Sequence, residues 1–241
     1  MKQYYDFKIE KIKDLSSEEI HLRKKNLELF YQIGFPNKND EDWKFSDLNS
    51  ILSKNFNNIA NNNFLPKEKN IKIIEEFEHN YISLFDGKIV SKDFSYEEKN
   101  KVLIDNFNYK DELIFDNKNP LYILNNALST GGFSLEISKN YKLKKPLIIY
   151  NNFSNSLKET IVNYKNLIIL NENSELNLIN YINNSSRENF MVNTVENIKM
   201  KKDSSLNNIL INNSKCNGYF YKYIKCDLEK NSSLENYLIS S

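Results

Sequence analysis

From about residue 121 to the end, the apolar positions fall into short runs separated by polar clusters. The runs cover residues 133–137, 147–150, 167–170 and 176–182. Each is too short for a helix of ordinary length and rich in the branched and aromatic side chains that favour strands. A self-comparison shows that the runs repeat. Ile168-x-Leu170-x3-Ser174-x-Leu176 recurs as Ile198-x-Met200-x3-Ser204-x-Leu206 and again as Cys226-x-Leu228-x3-Ser232-x-Leu234, at offsets of 30 and then 28 residues. A unit of two alternating strands around a polar corner (Asn173-Ser174, Asp203-Ser204, Asn231-Ser232) is what a stacked β-solenoid needs. Each coil of such a fold buries its inward side chains only against the coils above and below. Asn and Asp at the corners tolerate a left-handed backbone. An antiparallel sandwich also offers short strands between polar turns. The near-constant period, and the rarity of Asn-Gly or Asp-Gly turns after residue 90, favour the solenoid.

Upstream the pattern differs. Ser16 with Glu19 matches a capping box, and Ile20, Leu27, Phe30 and Tyr31 fall near one helical face. Gly34 and Pro36 then supply a stop, which together predict an amphipathic helix of about 18 residues. Trp43, Phe45, Leu48, Ile51 and Leu52 predict a shorter helical or irregular segment that buries the only Trp. Residues 55–70, rich in Asn and poor in apolar side chains, read as a linker. Tyr81 to Val90 around Asp86-Gly87 has the signature of a hairpin with a two-residue type I′ turn. Residues 95–118 fit helix and strand equally, and residues 121–128 read as a short helix after Pro120. The expected organisation is an N-terminal helical region (1–60), a small mixed α/β segment carrying the hairpin (61–120) and the first coils of a β-helix (121–241).

Composition narrows the chemistry. The chain of 241 residues has 33 basic and 32 acidic side chains, a net charge of +1, a near-balance that argues against a nucleic-acid binder while leaving room for a local basic patch. No stretch approaches the roughly 20 apolar residues a bilayer helix needs, so no membrane span is expected. The first residues form neither a signal h-region nor an acid-poor transit peptide, and with two cysteines outside any CxxC spacing the expected home is a reducing cytoplasm. Hydrophobic residues at 40%, with 15 Tyr and 15 Phe, suffice for a real core. His21 and His79 lie in no metal-ligand motif and are expected as solvated surface histidines. Gly131-Gly132 lacks the remainder of a dinucleotide loop or a P-loop and reads as a turn. Cys226 takes the repeat position of Ile168 and Ile198, an inward filler. Cys216, beside Lys215 in a loop, is the candidate reactive thiol. No catalytic or metal-binding residue is assigned. A polysaccharide-acting β-helix enzyme would need paired carboxylates on successive coils. Glu175 and Glu235 align with each other in the repeat, but Ser205 stands between them. The absence of a secretion signal weighs against this class as well.

Three stretches, in order along the chain, resemble one family. Gly34 to Phe45 resembles the "G-[LF]-P-x-[RK]-x-x-E-x-W-[KR]-[YF]" stretch of the SufB/SufD family of iron–sulfur cluster assembly scaffold proteins. Phe85-Asp86-Gly87-Lys88-Ile89-Val90 is similar to the "V-D-G-R-[YF]-V" hairpin of its SufD branch. Ala127 to Pro146 resembles the segment leading into the β-helix. The resemblance implies a right-handed parallel β-helix, incomplete here, after a helical region and a small α/β segment. It implies a non-catalytic scaffold role in the SUF complex, with a SufB-like paralogue and a SufC-like ATPase as partners. The chain itself is expected to bind no cofactor, a transient iron–sulfur cluster belonging to the assembled complex. The family's cluster-associated His and its partner-contacting elements have no counterpart in residues 1–241, so the resemblance carries over no site residue. A chain stopping within a solenoid is expected to self-associate through the open end of the β-helix. Otherwise it would be a stand-alone interaction module.

Overall fold

Every sequence repeat forms one coil of a parallel β-helix. The structure, a computed structural model, describes residues 9–12, 15–36, 38, 40–44, 48, 58–59, 72–108, 119–155, 157–182, 184 and 188–240. Along the chain run α1 (Ser17–Ile33), β1 (Asn58–Ile59), β2 (Asn80–Phe85), β3 (Lys88–Asp93), β4 (Val102–Asn106) and α2 (Pro120–Leu128). The coil strands follow: β5 (Phe133–Ile137), β6 (Leu147–Asn152), β7 (Thr160–Leu170), β8 (Glu175–Ile182), β9 (Phe190–Met200), β10 (Ser205–Asn212), β11 (Gly218–Leu228) and β12 (Ser233–Ser240). Odd-numbered strands from β5 build one sheet, ordered β11-β9-β7-β5-β4, with β1 also pairing β7. Even-numbered strands build the other, ordered β12-β10-β8-β6-β2-β3. The coil strands pair in parallel, and their register is that of the sequence repeat. Ile168 stands beside Ile198 and Ile198 beside Cys226; Leu176 stands beside Leu206 and Leu206 beside Leu234.

The corners explain the repeating polar residues. Asn173, Asp203 and Asn231 all adopt positive φ, at 55°, 59° and 59°. Each following serine turns its hydroxyl back onto the carbonyl three residues earlier. Ser174 Oγ donates to Asn171 O at 2.6 Å, Ser204 Oγ to Lys201 O at 2.6 Å and Ser232 Oγ to Glu229 O at 2.7 Å. The corner side chains also stack: Asn173 Nδ2 donates to Asn140 Oδ1 at 3.0 Å, and Asn231 Nδ2 to Asp203 Oδ1 at 2.9 Å. The Asn/Asp-Ser pair therefore supplies both the left-handed residue and the bond that closes the bend.

The first coil is closed by antiparallel strands. The β2–β3 hairpin joins the second sheet through β6, and β4 runs antiparallel along β5. Asp86 and Gly87 have φ values of 49° and 81°, as a type I′ turn requires. Of the residues that fit either helix or strand, 102–106 form β4, whereas 109–118 lie outside the described residues. Most of the expected linker 55–70 also lies outside them, but Asn58 and Ile59 pair with Thr160 and Ile161 of β7.

Strands β7 and β9 are buried on both faces, because the helices cover the outside of their sheet. Inward, Val162, Ile168, Phe190, Val192 and Ile198 pack against Leu176, Leu178 and Leu206 of the second sheet. Outward, Ile161 and Met191 meet Leu121, Leu124 and Leu128 of α2, on which Leu27 and Phe30 of α1 pack. The layers thus run second sheet, interior, first sheet, α2, α1. Polar bonds fix α2 on the sheet. Asn119 caps it by accepting from the amides of Leu121 and Tyr122, and Asn125 Nδ2 donates to Tyr164 O at 3.0 Å and Asn193 O at 2.7 Å.

Helix α1 begins at the Ser16 cap, whose hydroxyl accepts from the Glu19 amide at 3.2 Å, and ends at Gly34, φ 78°. Its buried face differs from the one expected. Tyr31 is 39% exposed, while Arg23 and Asn26 are buried with Leu27 and Phe30. Arg23 reaches the end of α2, donating to Ala127 O at 3.0 Å and Ser129 O at 2.8 Å and pairing with Glu19 at 3.2 Å. Those carbonyls are the ones a helix C-terminus leaves without intrahelical partners, and a cation is favoured there. Trp43 is only half-buried, its ring 5.5 Å from that of Tyr221.

Two further expectations change. Gly131-Gly132 is an irregular passage rather than a turn, with Gly132 at φ 116°: Gly132 N donates to Gly87 O at 2.7 Å and Lys165 N to Gly131 O at 3.1 Å. A Cβ on Gly132 would lie 1.7 Å from Lys165 O, so only glycine passes here. His79 is buried, whereas His21 is exposed as expected.

Candidate functional site

The last coil is the most exposed part of the β-helix. Along β11 and β12, Leu228 is 53% exposed, Tyr237 53%, Leu238 71% and Ile239 54%, whereas the matching positions of β9 and β10 are buried or half-buried. Among the described residues, strands β11 and β12 each pair on one side only. Apolar side chains together with an unpaired strand edge are the chemistry of β-sheet addition.

Inside this end the apolar filling gives way to polar side chains. A cavity of about 530 Å³ lies between the sheets, lined by Tyr164, Asn166, Thr194, Asn208, Lys222 and Asn236 among others. One wall is an amide ladder: Asn180 Nδ2 donates to Asn208 Oδ1 at 2.9 Å, and Asn208 Nδ2 to Asn236 Oδ1 at 2.9 Å. The opposite wall carries Lys222, whose Nζ lies 2.9 Å from Oε1 of the fully buried Glu196 behind it. The pair makes an ion contact without a well-directed hydrogen bond, which leaves both carboxylate oxygens wanting donors. Burial pushes the Tyr164 phenol far above its ordinary range, and its O–H donates to Asn151 Oδ1 at 3.1 Å. Side chains so expensive to bury fix the rung at which a neighbouring strand fits, since a slip of one residue would turn every amide outward.

The two cysteines fall on either side of this region. Cys226 lies inward at the rung of Ile198, half-buried against the interior. Burial pushes its thiol up, and the carboxylates of Glu196 and Asp227 add to the shift. Cys216 sits in the loop between β10 and β11, half-buried and packed against the same interior. The structure does not align Glu175 with Glu235. Glu175 stands beside Ser205, and Ser205 beside Ser233; Glu235 stands beside Asn207, two positions further along the strand. The residues that sequence reasoning missed are Glu196, Lys222 and the three asparagines. The signal was present as Asn180, Asn208 and Asn236, inward residues spaced 28 apart, of which Asn208 and Asn236 share a rung while Asn180 stands beside Leu210. Among the described residues no group of three or more His, Cys, Asp or Glu could hold a metal ion, and no helix is long and apolar enough to cross a membrane.

No curated protein matches the chain. Residues 1–78 match the family model described as SufBD protein N-terminal region, which ties the N-terminal part of the chain to the SufB/SufD family.

Proposed function

We propose that this chain is a non-catalytic scaffold subunit of the SUF iron–sulfur cluster assembly system, nearer to SufD than to SufB, and that it works in the cytoplasm. One conjunction carries the reading. An N-terminal region matching the SufB/SufD family precedes a parallel β-helix. Such a fold suits pairing with another β-helical subunit, a SufB-like paralogue, while a SufC-like ATPase completes the complex. The chain holds no resident cofactor in this reading; the iron–sulfur cluster is cargo of the assembled complex. The test is co-expression of the gene product with the SufB-like and SufC-like subunits of the same source, one of them tagged. Co-purification in a defined ratio is expected, and failure to co-purify with either partner overturns the proposal.

A further inference from the structure

Residues 72–79 lie as a strap against the outside of the second sheet, attached by the Lys145–Glu78 ion pair and by a relay through the Tyr150 hydroxyl. The Ile74 amide donates to Tyr150 Oη at 3.0 Å, so the phenol's own proton must point elsewhere, and His79 Nε2 stands 2.8 Å away. The second ring nitrogen, Nδ1, is 2.9 Å from the Phe77 carbonyl oxygen. A carbonyl only accepts, so neutral His79 carries its proton on Nδ1 and Nε2 is left as a pure acceptor. The bonds form one directed chain: Ile74 N–H to the Tyr150 oxygen, Tyr150 O–H to His79 Nε2, and His79 Nδ1–H to Phe77 O.

The imidazole is 7% exposed and walled by the rings of Phe77, Tyr81 and Tyr150 at centroid distances of 5.1, 6.5 and 5.9 Å. The titratable groups around it are Glu75, Glu76 and Glu78 on the strap, Tyr81 on β2, Tyr150 on β6 and Tyr181 on β8, whose ring is 6.0 Å from that of Tyr150. Lys145 engages Glu78 at 2.6 Å. Burial holds the Tyr150 phenol above its ordinary range, so it remains a donor at neutral pH. A second proton on His79 turns Nε2 into a donor, so the Tyr150 O–H must swing away from it and the phenol oxygen must be shared between the imidazolium and the Ile74 amide inside an aromatic enclosure.

We propose that this relay is a pH-operated fastener. It holds the strap to the β-helix while His79 is neutral, and it opens when His79 gains a proton. Amide hydrogen exchange on the full chain, read by NMR as protection factors from about pH 8 to about pH 5, tests it. The Ile74 amide should be protected at the upper end and lose at least about tenfold in protection at the lower, while Val192 and Ile198 stay protected. Tyr150→Phe should leave Ile74 poorly protected throughout. His79→Gln, neutral at every pH, should make the profile flat. Constant protection of Ile74 in the wild type, or the same fall in His79→Gln, overturns the proposal. Should His79→Gln not fold, the ring shifts of wild-type His79 decide. Their titration midpoint must coincide with the loss of Ile74 protection, and separate midpoints defeat the fastener.

Discussion

At the scale of single residues, Asp86 has an environment at odds with its charge. It sits at the first position of the type I′ turn and accepts from the Ser154 amide at 2.9 Å. Burial raises its carboxyl above the ordinary value, against the lowering effect of the Ser154 bonds and of Lys88. A carboxyl raised in the folded state contributes stability that is present below its unfolded pKa and lost as pH rises, so at neutral pH the ionised form costs stability. Asp86→Asn keeps the acceptor and the turn preference without the charge. It should raise stability by up to about 1 kcal/mol at neutral pH, with the advantage vanishing near pH 3. Urea denaturation at both pH values measures this, and a variant less stable at neutral pH would refute it. Cys226 gives a second expectation. With its thiol raised, little thiolate is present near pH 8, so iodoacetamide should label it much more slowly than a free cysteine in an unfolded control, as followed by peptide mass spectrometry.

Among the elements, the join between α1 and α2 concentrates the most consequence in one side chain. Removing Arg23 leaves Glu19 and the Ala127 and Ser129 carbonyls without the cation that meets them. Arg23→Ala should therefore cost about 3–5 kcal/mol, seen as a lower unfolding midpoint. Arg23→Met, similar in reach but uncharged, should recover little of the loss. This join was not legible in the sequence, since the apolar pattern of α1 shows nothing that marks one of its three adjacent cations, Arg23, Lys24 and Lys25, as buried. The coils were legible, because their period, inward positions and Asn/Asp-Ser corners are local signals that the stacking merely repeats. Pairing of β2 with β6 and burial of His79 could not be read, since both depend on contacts between distant segments. The double burial of β7 and β9 was visible only as long apolar runs. Which helix supplied the cover was not, and Asn163 and Asn193 look like surface residues until α2 is laid over them.

For the whole molecule of residues 1–241, antiparallel strands close the first coil, and β11 and β12 present Leu228, Tyr237, Leu238 and Ile239. An exposed apolar edge of this kind should associate. Light scattering on this chain is expected to show a mass that grows with concentration, and Leu238→Lys together with Ile239→Lys should bring it towards the monomer by placing charge on the edge. A wild-type chain that stays monomeric at high concentration would contradict the expectation. The repeat also has a lesson in its change of period from 30 to 28 residues. The bends from the first sheet to the second have one length, residues 171–174, 201–204 and 229–232, and these hold the left-handed corner and its serine. The return passages run through 183–189 and then 213–217, and the whole shortening is absorbed there without disturbing a single rung. One side of the solenoid is thus a fixed gauge and the other an adjustable one. Foreign sequence, such as an epitope tag or a fluorophore site, belongs in the return passages, where the fold already tolerates a change of length.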